Sequence, residues 1–384
     1  MSTARMLSVS LADASGYDIC IGKGVLSTLG ADVRSLTDAT RAVVVSDETV
    51  GPAYGKLAKK RLEEAGLEVY DVLVPAGEPS KSLELAGEIA EELARFGLDR
   101  HDVLVAVGGG VVGDLTGFVA SCYKRGIDFV QVPTTLLAMV DASIGGKTAV
   151  NLAAGKNLFG TFHQPLYICS DIRCLRTLAD EDWANGFAEA AKSSFIAPRR
   201  SFYEWVRDNA AALVAHDDAA LEELVYQTAR FKASVVARDE KESGVRECLN
   251  YGHTLAHAIE NAAGYGTVSH GRAVAEGMRF AARLSVDVLG LDPAVVKQQD
   301  ALLDALGLPE IPWVADAGHL QQIMLTDKKA LAGQVRFVLL DDIASWQLVS
   351  VPSETIAAHL QAWCEAKRRL IERNDGHMWG ERAS

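Results

Sequence analysis

Cysteine is scarce in this sequence, and its six cysteines form no C-x-x-C pair. Several stand in apolar stretches, which favours buried thiols in a reducing compartment over a framework of disulfides. The cysteines are Cys20, Cys122, Cys169, Cys174, Cys248 and Cys364.

Long apolar runs are also lacking. No uninterrupted apolar segment approaches the length that a membrane span requires, and the N-terminal residues MSTARMLSVSLADASG contain no signal-peptide core. We therefore expect a cytoplasmic protein that does not associate with membranes.

Basic residues are outnumbered, with 38 lysines and arginines against 51 acidic residues and a formal net charge of −13. A surface with this charge would repel a phosphate backbone, which argues against a nucleic-acid partner. A small anionic substrate is still compatible with this composition if the basic groups are concentrated in one cleft.

The chain of 384 residues is long enough for two domains, and the first part of it alternates between strand and helix patterns. Helical patterns near Ala53–Ala65 and Ser82–Phe96 separate short apolar runs, so a mainly parallel, doubly wound α/β sheet is predicted over residues 1–177. The predicted strands are Met6–Leu11, Tyr17–Gly22, Arg41–Ser46, Glu68–Val74, Asp102–Gly108 and Phe129–Val132.

After about Leu178 the pattern changes to longer helices, which predicts a mostly helical second domain over residues 178–384. One pair of apolar runs, Val335–Leu340 and Trp346–Val349, is typical of a hairpin, and a last helix starts at Ser353. The predicted helices include Glu181–Phe195, Ser201–Ala215, Ala219–Asp239, Leu249–Ala263 and Ala273–Leu289. The charged tail, Arg368–Ser384, is expected to be peripheral.

A glycine-rich turn follows the apolar run Val103–Val107 and precedes a helical pattern over Val111–Cys122. A strand, a turn and a helix in this order suit an anion, because free backbone N–H groups and the helix dipole face the same point. The sequence GGGVVGD is not the spaced dinucleotide fingerprint, and a tight turn that packs the helix on the strand explains it equally well.

Further polar residues lie near the predicted strand ends or among glycines. Lys147 and Lys156 stand beside glycines and near Asp141 and Asn157, which favours an anionic ligand over a solvated loop. Asp47 follows a strand, where a carboxylate can hold ribose hydroxyls, although a solvated turn residue is an equally good interpretation.

Three of only nine histidines lie within eighteen residues. His253 and His257 share one helical face at i and i+4, and His270 follows at the start of the next helix. Glu189 and Lys192 also share a face. Two imidazoles and a carboxylate with an open position describe a catalytic Zn²⁺ site, whereas the H-x-x-x-H spacing alone is more often that of a solvated helix face.

Near these histidines stand the charged residues Lys232, Glu242 and Arg246 and the neutral amide of Asn250, and Asp327-Lys328-Lys329 follows later. A solvated helix face accounts for any one of them. Taken together, cationic groups around a metal suit a substrate that carries both a phosphate and a carboxylate.

Long motifs of this chain resemble the 3-dehydroquinate synthases of the sugar phosphate cyclase family. The similarity runs from about residue 77 to residue 340, in the order that the family has. The motifs are GEPSKS, GGGVVGDLTGFVA, YKRGIDFVQVPTTLLAMVDASIGGKTAVN, GKNLFGTFHQP, GFAEAAK, LNYGHTLAHAIE, HGRAVAEGM and DKKALAGQVRFVLL.

The resemblance implies a homodimer of two-domain chains, each with an NAD-binding α/β domain, a mostly helical metal-binding domain and an active site between them. It implies conversion of 3-deoxy-D-arabino-heptulosonate 7-phosphate to 3-dehydroquinate and phosphate. Zn²⁺ or Co²⁺ would be bound by Glu189, His253 and His270, so that His257 would contact the substrate instead.

The resemblance also assigns the remaining site residues. The phosphate would contact Lys147, Asn157, Asn250, His257 and Lys329, with Arg125 supplied by the partner subunit. Lys232 and Arg246 would hold the substrate carboxylate, whereas Asp141, Lys192 and Glu242 would contact hydroxyls and order the surroundings of the metal. NAD would contact Asp47, Glu78, Lys81, Gly109, Gly110, Asp114, Thr134, Thr135, Lys147, Lys156 and Thr177.

Three other functions are compatible with parts of this pattern. Other cyclases of the family act on sugar phosphates without a carboxylate, which leaves the pair Lys232 and Arg246 unexplained. A metal-dependent polyol dehydrogenase on a related fold would release NADH. A non-catalytic NAD-binding regulator would not need the metal ligands and lysines, all of which are in place.

Overall fold

The computed structural model describes residues 4–11, 16–264, 266–326, 330–331 and 334–374. Lys329, with Asp327 and Lys328, lies outside the described residues, as does the end of the predicted peripheral tail from residue 375. The chain forms two compact units, and each consists of two segments. The first unit is Met1–Trp183 with Asp218–Lys241, and the second is Ala184–Asp217 with Glu242–Ser384. The predicted boundary after residue 177 stays a prediction.

The first 178 residues alternate between strands and helices, as expected. Their elements are β1 (Arg5–Ser10), β2 (Gly16–Gly22), α1 (Leu29–Leu36), β3 (Arg41–Asp47), α2 (Lys56–Glu64), β4 (Glu68–Val74), α3 (Leu83–Arg95), β5 (Val103–Gly108), α4 (Gly110–Cys122), β6 (Asp128–Pro133), β7 (Lys147–Leu152), β8 (Gly155–Phe162) and β9 (Tyr167–Asp171). Two π-helical turns, Gly51–Gly55 and Ala138–Ala142, interrupt this alternation.

Seven strands form one sheet in the order β1-β2-β9-β6-β5-β3-β4. The strand β1 is antiparallel to β2, and the remaining pairs are parallel. The interior strands β3 and β5 each contain a continuous run of buried apolar residues, because helices cover both faces of such a sheet. The predicted doubly wound fold class is confirmed.

The strands β7, β8 and β9 were not among the predicted ones. The strands β7 and β8 form a separate two-stranded antiparallel sheet. Five of the eight positions in β8 are exposed and the other three are half-buried, so the alternation that marks a strand with one buried face is missing. Lys147, Lys156 and Asn157 therefore lie in a hairpin and not in a loop.

The remainder of the chain is mostly helical, as predicted, with one small sheet. Its elements are α5 (Asp180–Ile196), α6 (Arg200–Val214), α7 (Asp218–Arg238), α8 (His253–Ala263), α9 (His270–Leu289), α10 (Pro293–Ala305), α11 (Ala317–Thr326), β10 (Ala330–Leu331), β11 (Gln334–Asp342), β12 (Ser345–Pro352) and α12 (Ser353–Arg373). The predicted hairpin corresponds to β11 and β12, which pair antiparallel.

The helix α7 belongs to the first unit although it follows two helices of the second part of the chain. Its apolar face, which includes Leu221, Leu224 and Val225, is buried. Arg5 of β1 forms an ion pair with Glu223 of this helix. A reading in chain order alone could not anticipate that this segment returns to the sheet.

None of the helices in the described ranges has the length and apolarity that crossing a bilayer requires.

Close packing at glycine fixes the position of α9 on α8. A Cβ atom added to Gly277 would lie 1.8 Å from the carbonyl oxygen of Gly252, so any side chain there collides with backbone. Gly87, in the exposed face of α3, has nothing within 4 Å of the same position. A methyl group at Gly277 therefore collides with backbone, whereas a methyl group at Gly87 meets open space.

We expect Gly277→Ala to lower the free energy of unfolding by about 1–3 kcal/mol, because the backbones of α8 and α9 must separate. Gly87→Ala is the matched control and should raise it by about 0.5–1 kcal/mol, since alanine restricts the unfolded chain and has the better helix propensity. Urea denaturation of the two variants measures both values. Equal effects of the two substitutions would contradict the packing argument.

Candidate active site

The first turn of α9 lies against α5 in the second unit. The N–H of Gly271 donates to Oδ1 of Asn185 at 2.7 Å. A Cβ atom on Gly271 would lie 2.5 Å from the Cα of Asn185, so only glycine permits this approach. Because Asn185 precedes Glu189 by one helical turn, the contact places His270, at the start of α9, beside Glu189.

The helix α8 begins at His253, later than the predicted start at Leu249. Gly252 directly before it has a φ of 80°, in the left-handed region, which breaks the helical pattern. Since Gly277 of α9 packs on this same glycine, the first residue of α8 is held beside α9. Both histidines therefore stand at helix N-termini that converge on α5.

Three of the predicted ligands come together. Oε1 of Glu189 lies 3.3 Å from Nε2 of His253 and 3.4 Å from Nε2 of His270, and the three ligand atoms lie within 4.8 Å of one another. That oxygen is buried and makes no hydrogen bond of acceptable geometry. A buried carboxylate oxygen facing two imidazole nitrogens is the donor set of a divalent cation.

The separations fit a tetrahedral ion. Zn²⁺ with bonds of about 2.05 Å to nitrogen and oxygen has ligand atoms about 3.3 Å apart. The two distances from Oε1 of Glu189 to the imidazole nitrogens match this ligand–ligand distance. Three protein ligands leave one position open, which is the arrangement of catalytic rather than structural zinc sites.

Charges around the cluster set the protonation of its members. Burial alone would raise the pKa of Glu189, but the ammonium of Lys192, which donates to Oε2, and the neighbouring His253 hold it well below its ordinary value. Burial and then the charge of Lys192 lower the pKa of His253 to about 4. Burial opposes the charge on His270, but the carboxylates of Glu189 and Glu260 outweigh it and raise its pKa to about 10. A bound cation would replace this proton.

The far nitrogens of both histidines are also held. Nδ1 of His270 lies 3.3 Å from Oε2 of Glu260, and Nδ1 of His253 lies 3.1 Å from the carbonyl oxygen of Tyr251. Such partners fix the ring orientation and leave Nε2 to face the metal. Sequence reasoning missed Glu260, although it ends the same LNYGHTLAHAIE motif, seven residues after His253.

Several other predicted residues of the second unit lie on α8 or in the segment directly before it. His257 is exposed on α8, with its ring 5.5 Å from that of His253, and it is not part of the ligand cluster in the described residues. Asn250 donates to Oε1 of Glu242 at 3.1 Å. Arg246 is the largest of the fully buried side chains in the described chain.

In the first unit, the predicted cofactor turn joins β5 to α4. A Cβ atom on Gly109 would lie 3.1 Å from Cγ2 of Thr135, and one on Gly110 would lie 3.2 Å from Cβ of Ala142. The N–H of Thr134 donates to the carbonyl oxygen of Gly108, and its hydroxyl is buried without a hydrogen-bond partner. We call the turn at Gly109 and Gly110, together with the buried hydroxyl of Thr134, the cradle.

The N-terminus of α4 suits a phosphate group. In the described structure no side chain caps it, and its first turn carries no acidic residue. Free N–H groups and the positive end of the helix dipole face the cradle. Of the two interpretations of the glycine-rich turn, this geometry supports an anion site.

Several predicted cofactor residues form one polar cluster. Nζ of Lys81 donates to Oδ2 of Asp114 at 2.7 Å and to Oδ1 of Asn157 at 2.5 Å. Burial raises the pKa of Asp114 although Lys81 opposes this. Asn151, which sequence reasoning missed, donates to Oε1 of Glu78 at 2.8 Å and accepts from the N–H of Asn157 at 2.9 Å.

The hairpin separates two residues that were expected to hold one phosphate. Lys147 is exposed at the start of β7 and pairs with Phe162, whereas Asn157 lies five positions earlier in β8. Five residues of a strand span about 16 Å. Within one chain the structure therefore places Asn157 and its neighbour Lys156 at the Lys81 end of the hairpin, away from Lys147.

Lys232 of α7 contacts Asp141 within the first unit. Its Nζ donates to the carbonyl oxygen of Asp141 at 2.7 Å and lies 2.8 Å from Oδ1 of the same residue. Lys232 is buried. The two predicted substrate residues are therefore already an ion pair at the π-helical turn.

Asp47 and Thr177 have local hydrogen bonds. Oδ1 of Asp47 accepts from the N–H groups of Thr49 and Val50, which supports the interpretation of Asp47 as a turn residue. The hydroxyl of Thr177 lies 3.3 Å from that of Tyr54. Their predicted contacts with NAD stay predictions.

Backbone strain marks further predicted site residues. Arg125, Asn157 and Glu242 are among the six non-glycine residues with positive φ in the described part of the chain. This conformation is costly for residues with a Cβ atom and is retained mainly where the surroundings enforce it, often at functional sites. Arg125 is exposed, and its predicted contact with a partner subunit stays a prediction.

Comparison with known proteins agrees with this geometry. The family model described as the 3-dehydroquinate synthase N-terminal domain matches residues 71–185, and the corresponding C-terminal model matches residues 186–330. The chain is 43% identical to the 3-dehydroquinate synthase of Pelobacter propionicus over 91% of its own length and 97% of that protein. The chain belongs to the 3-dehydroquinate synthase family. The predicted enzyme class is thereby confirmed.

Solved structures of sugar phosphate cyclases share the fold. A 2-deoxy-scyllo-inosose synthase complexed with carbaglucose-6-phosphate, NAD⁺ and Co²⁺ is 26% identical with a TM-score of 0.85, covering 93% of this chain and 100% of that one. The 2-epi-5-epi-valiolone synthase of Streptomyces hygroscopicus, with NAD⁺ and Zn²⁺ bound, is 26% identical with a TM-score of 0.83, covering 93% and 99%. NAD and a divalent metal, the predicted cofactors, are those of the 3-dehydroquinate synthase family.

We expect Zn²⁺ to stabilise the metal-free protein by about 2.7 kcal/mol once its free concentration exceeds the dissociation constant a hundredfold. His253→Ala and His270→Ala should abolish both this gain and stoichiometric metal content, because each removes a ligand. Thermal melts with and without Zn²⁺ and elemental analysis measure the two effects.

The control is His359→Ala, which removes an imidazole that contacts Asp287 at 2.8 Å and has no part in the cluster. It should bind Zn²⁺ like the unchanged protein. Full metal content in His253→Ala, or its loss in His359→Ala, would contradict the assigned site.

Glu260→Gln should weaken Zn²⁺ binding about 10–100-fold, since the amide orients His270 less strongly and makes its ring less basic. Competition with a chromophoric chelator measures this affinity. Glu310→Gln, which removes a carboxylate paired with Lys367 at 2.8 Å in the same unit, is the control. Unchanged affinity in Glu260→Gln would show that the contact with His270 does not support the metal.

Proposed function

We propose that the protein forms 3-dehydroquinate and phosphate from 3-deoxy-D-arabino-heptulosonate 7-phosphate, with Glu189, His253 and His270 holding the divalent metal. The observation that carries this proposal is the convergence of one buried carboxylate oxygen and two imidazole nitrogens at 3.3 and 3.4 Å. When bound, the metal supplies Lewis acidity toward substrate hydroxyls, and NAD supplies a transient oxidation that is reversed before release.

The second unit supplies the surroundings of the metal. Lys192 occupies Oε2 of Glu189 and leaves Oε1 to face the two imidazoles. This division keeps the carboxylate ionised and fixes its orientation, which a ligand of a reactive metal requires. Lys192 itself is buried, so its ammonium can donate to a substrate hydroxyl with little competition from water.

The first unit supplies the cofactor site. At Gly109 and Gly110 the backbone leaves room for the NAD pyrophosphate, which would bind at the N-terminus of α4. The buried hydroxyl of Thr134 would supply a hydrogen bond. Lys81, held by Asp114 and Asn157, presents a buried ammonium from the same cluster. The geometry supports these residues as the cofactor contacts.

Two kinds of cation match the two anionic groups of the substrate. Lys147 is a flexible point charge on the exposed start of β7 and suits the phosphate. Arg246 is a planar, buried guanidinium and suits bidentate binding of the carboxylate. Lys232, Asn250 and His257 are proposed to assist, and Lys329 keeps its predicted role outside the described residues.

The other candidate functions have weaker support. Identity is 43% to a 3-dehydroquinate synthase but 26% to cyclases named for other products. The pair Lys232 and Arg246, which is predicted to hold a carboxylate, also favours a substrate that carries one. A polyol dehydrogenase would release NADH, and a regulator would have no need of the ligand cluster.

We also propose the homodimer and the cytoplasmic location that the sequence predicts. Gel filtration with light scattering tests the first, and cell fractionation tests the second.

The deciding experiment is product analysis by NMR with purified protein, NAD⁺, Zn²⁺ and the heptulosonate phosphate. We expect 3-dehydroquinate and phosphate in equal amounts and no net accumulation of NADH. Net NADH would support the dehydrogenase instead, and conversion of sedoheptulose 7-phosphate with no turnover of the heptulosonate phosphate would support another cyclase.

In the same assay, Lys147→Ala should lower turnover roughly a hundredfold to a thousandfold, because the phosphate loses its charged partner. Lys60→Ala is the control, since Lys60 is exposed on α2 and lies 3.9 Å from Glu64 of the same helix. Near-normal turnover of Lys147→Ala with an unchanged melting temperature would refute the assigned phosphate role.

A further inference from the structure

The segment Ala138–Lys147 carries two of the proposed substrate residues on an unusual backbone. It opens with a π-helical turn, and Gly145 and Gly146 both have positive φ values, of 97° and 66°. The turn has a hydrogen bond of its own, from the N–H of Ser143 to the carbonyl oxygen of Ala138 at 3.1 Å. The two glycines after it can adopt many backbone conformations, so a single conformation needs support from outside the segment. The contacts that support this segment therefore determine the positions of Asp141 and Lys147.

The Asp141 end of this segment is anchored by α7. Lys232 donates to both the backbone carbonyl and the carboxylate of Asp141. The N–H of Ile144 also donates to that carbonyl at 3.0 Å. A single buried side chain therefore fixes the π-helical turn through its last charged residue.

The other end is anchored by a residue from the start of the sheet. The N–H of Gly145 donates to the hydroxyl oxygen of Tyr17 at 2.9 Å, in a buried contact between residues 128 positions apart. The N–H of His163 donates to the carbonyl oxygen of Gly146 at 2.8 Å. Lys147 follows directly after these two held glycines.

We propose that Tyr17 is a positioning residue for the phosphate-binding Lys147, an inference that rests on the proposed function. Its ring is 5% exposed and so has a fixed direction within the first unit. Its hydroxyl fixes the Gly145 amide, and the chain from Gly145 to Lys147 then has one orientation available. Tyr17 does not touch the substrate itself; it acts through the backbone.

Loss of this hydroxyl leaves a buried amide without that acceptor. An unsatisfied buried N–H costs enough to change the occupancy of a backbone conformation about 5- to 150-fold. Tyr17→Phe removes the oxygen and keeps the ring, so the sheet packing stays in place. We expect kcat/KM for the heptulosonate phosphate to fall about tenfold, mainly through KM, because phosphate binding weakens before the chemistry does.

The matched control is Tyr167→Phe. Tyr167 is also buried in the first unit, and its hydroxyl donates to Asp32 at 3.0 Å, so a hydrogen bond of a buried tyrosine hydroxyl is lost at a different place. Both variants are loaded with NAD⁺ and Zn²⁺ and compared by steady-state kinetics and by hydrogen–deuterium exchange of peptides covering Ala138–Leu152. Tyr17→Phe should raise exchange in these peptides about tenfold, and Tyr167→Phe should change neither exchange nor KM.

The two readouts separate failure of this inference from failure of the proposed function. If the unchanged protein is active and Tyr17→Phe has normal KM and normal exchange, the role of Tyr17 is overturned. The proposed function then still stands. Equal losses in both variants also overturn it, because they reveal a general effect on the sheet. An unchanged protein that gives no turnover contradicts the proposed function, whereas the exchange result still tests the support of the segment.

Discussion

The close approach of α9 to α5 and α8 is the constraint on which the metal site depends. Two glycines permit it: Gly271 against Asn185 and Gly277 against the carbonyl of Gly252. Each contact leaves no space for a Cβ atom, so the helix axes are fixed by backbone rather than by adjustable side chains. The two imidazoles stand at the helix ends that these contacts hold. The helix packing therefore sets the geometry of the metal-ligand cluster.

The first unit uses a different device, because its site residues stand at strand ends and in turns. A parallel sheet brings the carboxyl ends of its strands to one edge, and Thr134 after β6 thereby meets Gly108 at the end of β5. Asn157 adopts a costly backbone conformation and is held by Lys81 and Asn151. Strain is stored where a polar group must point in one direction.

Periodicity predicted the sheet and the long helices well, since burial repeats at the intervals that define those elements. It could not choose between His253 and His257, because both satisfy the same i, i+4 spacing and only the arrival of His270 from α9 distinguishes them. Periodicity did not predict the hairpin β7–β8, because much of β8 faces solvent and the strand has no buried face to detect. The return of α7 to the first unit depends on contacts remote in sequence, which no local pattern records. Glu260 lay within a recognised motif, yet its role depends on the ring of His270.

An acidic chain that buries cations needs partners for them, and three buried lysines of the predicted site find those partners among other predicted site residues. Lys81 pairs with Asp114, Lys192 with Glu189, and Lys232 with Asp141. Such pairs offset the desolvation of both groups before any ligand arrives, and they fix the direction of each ammonium. An incoming anion or hydroxyl then meets cations that are already dehydrated and oriented, which is the state in which they interact most strongly. The net negative charge of the whole chain does not oppose a phosphorylated substrate, because at short range these local pairs dominate a surface charge that salt screens.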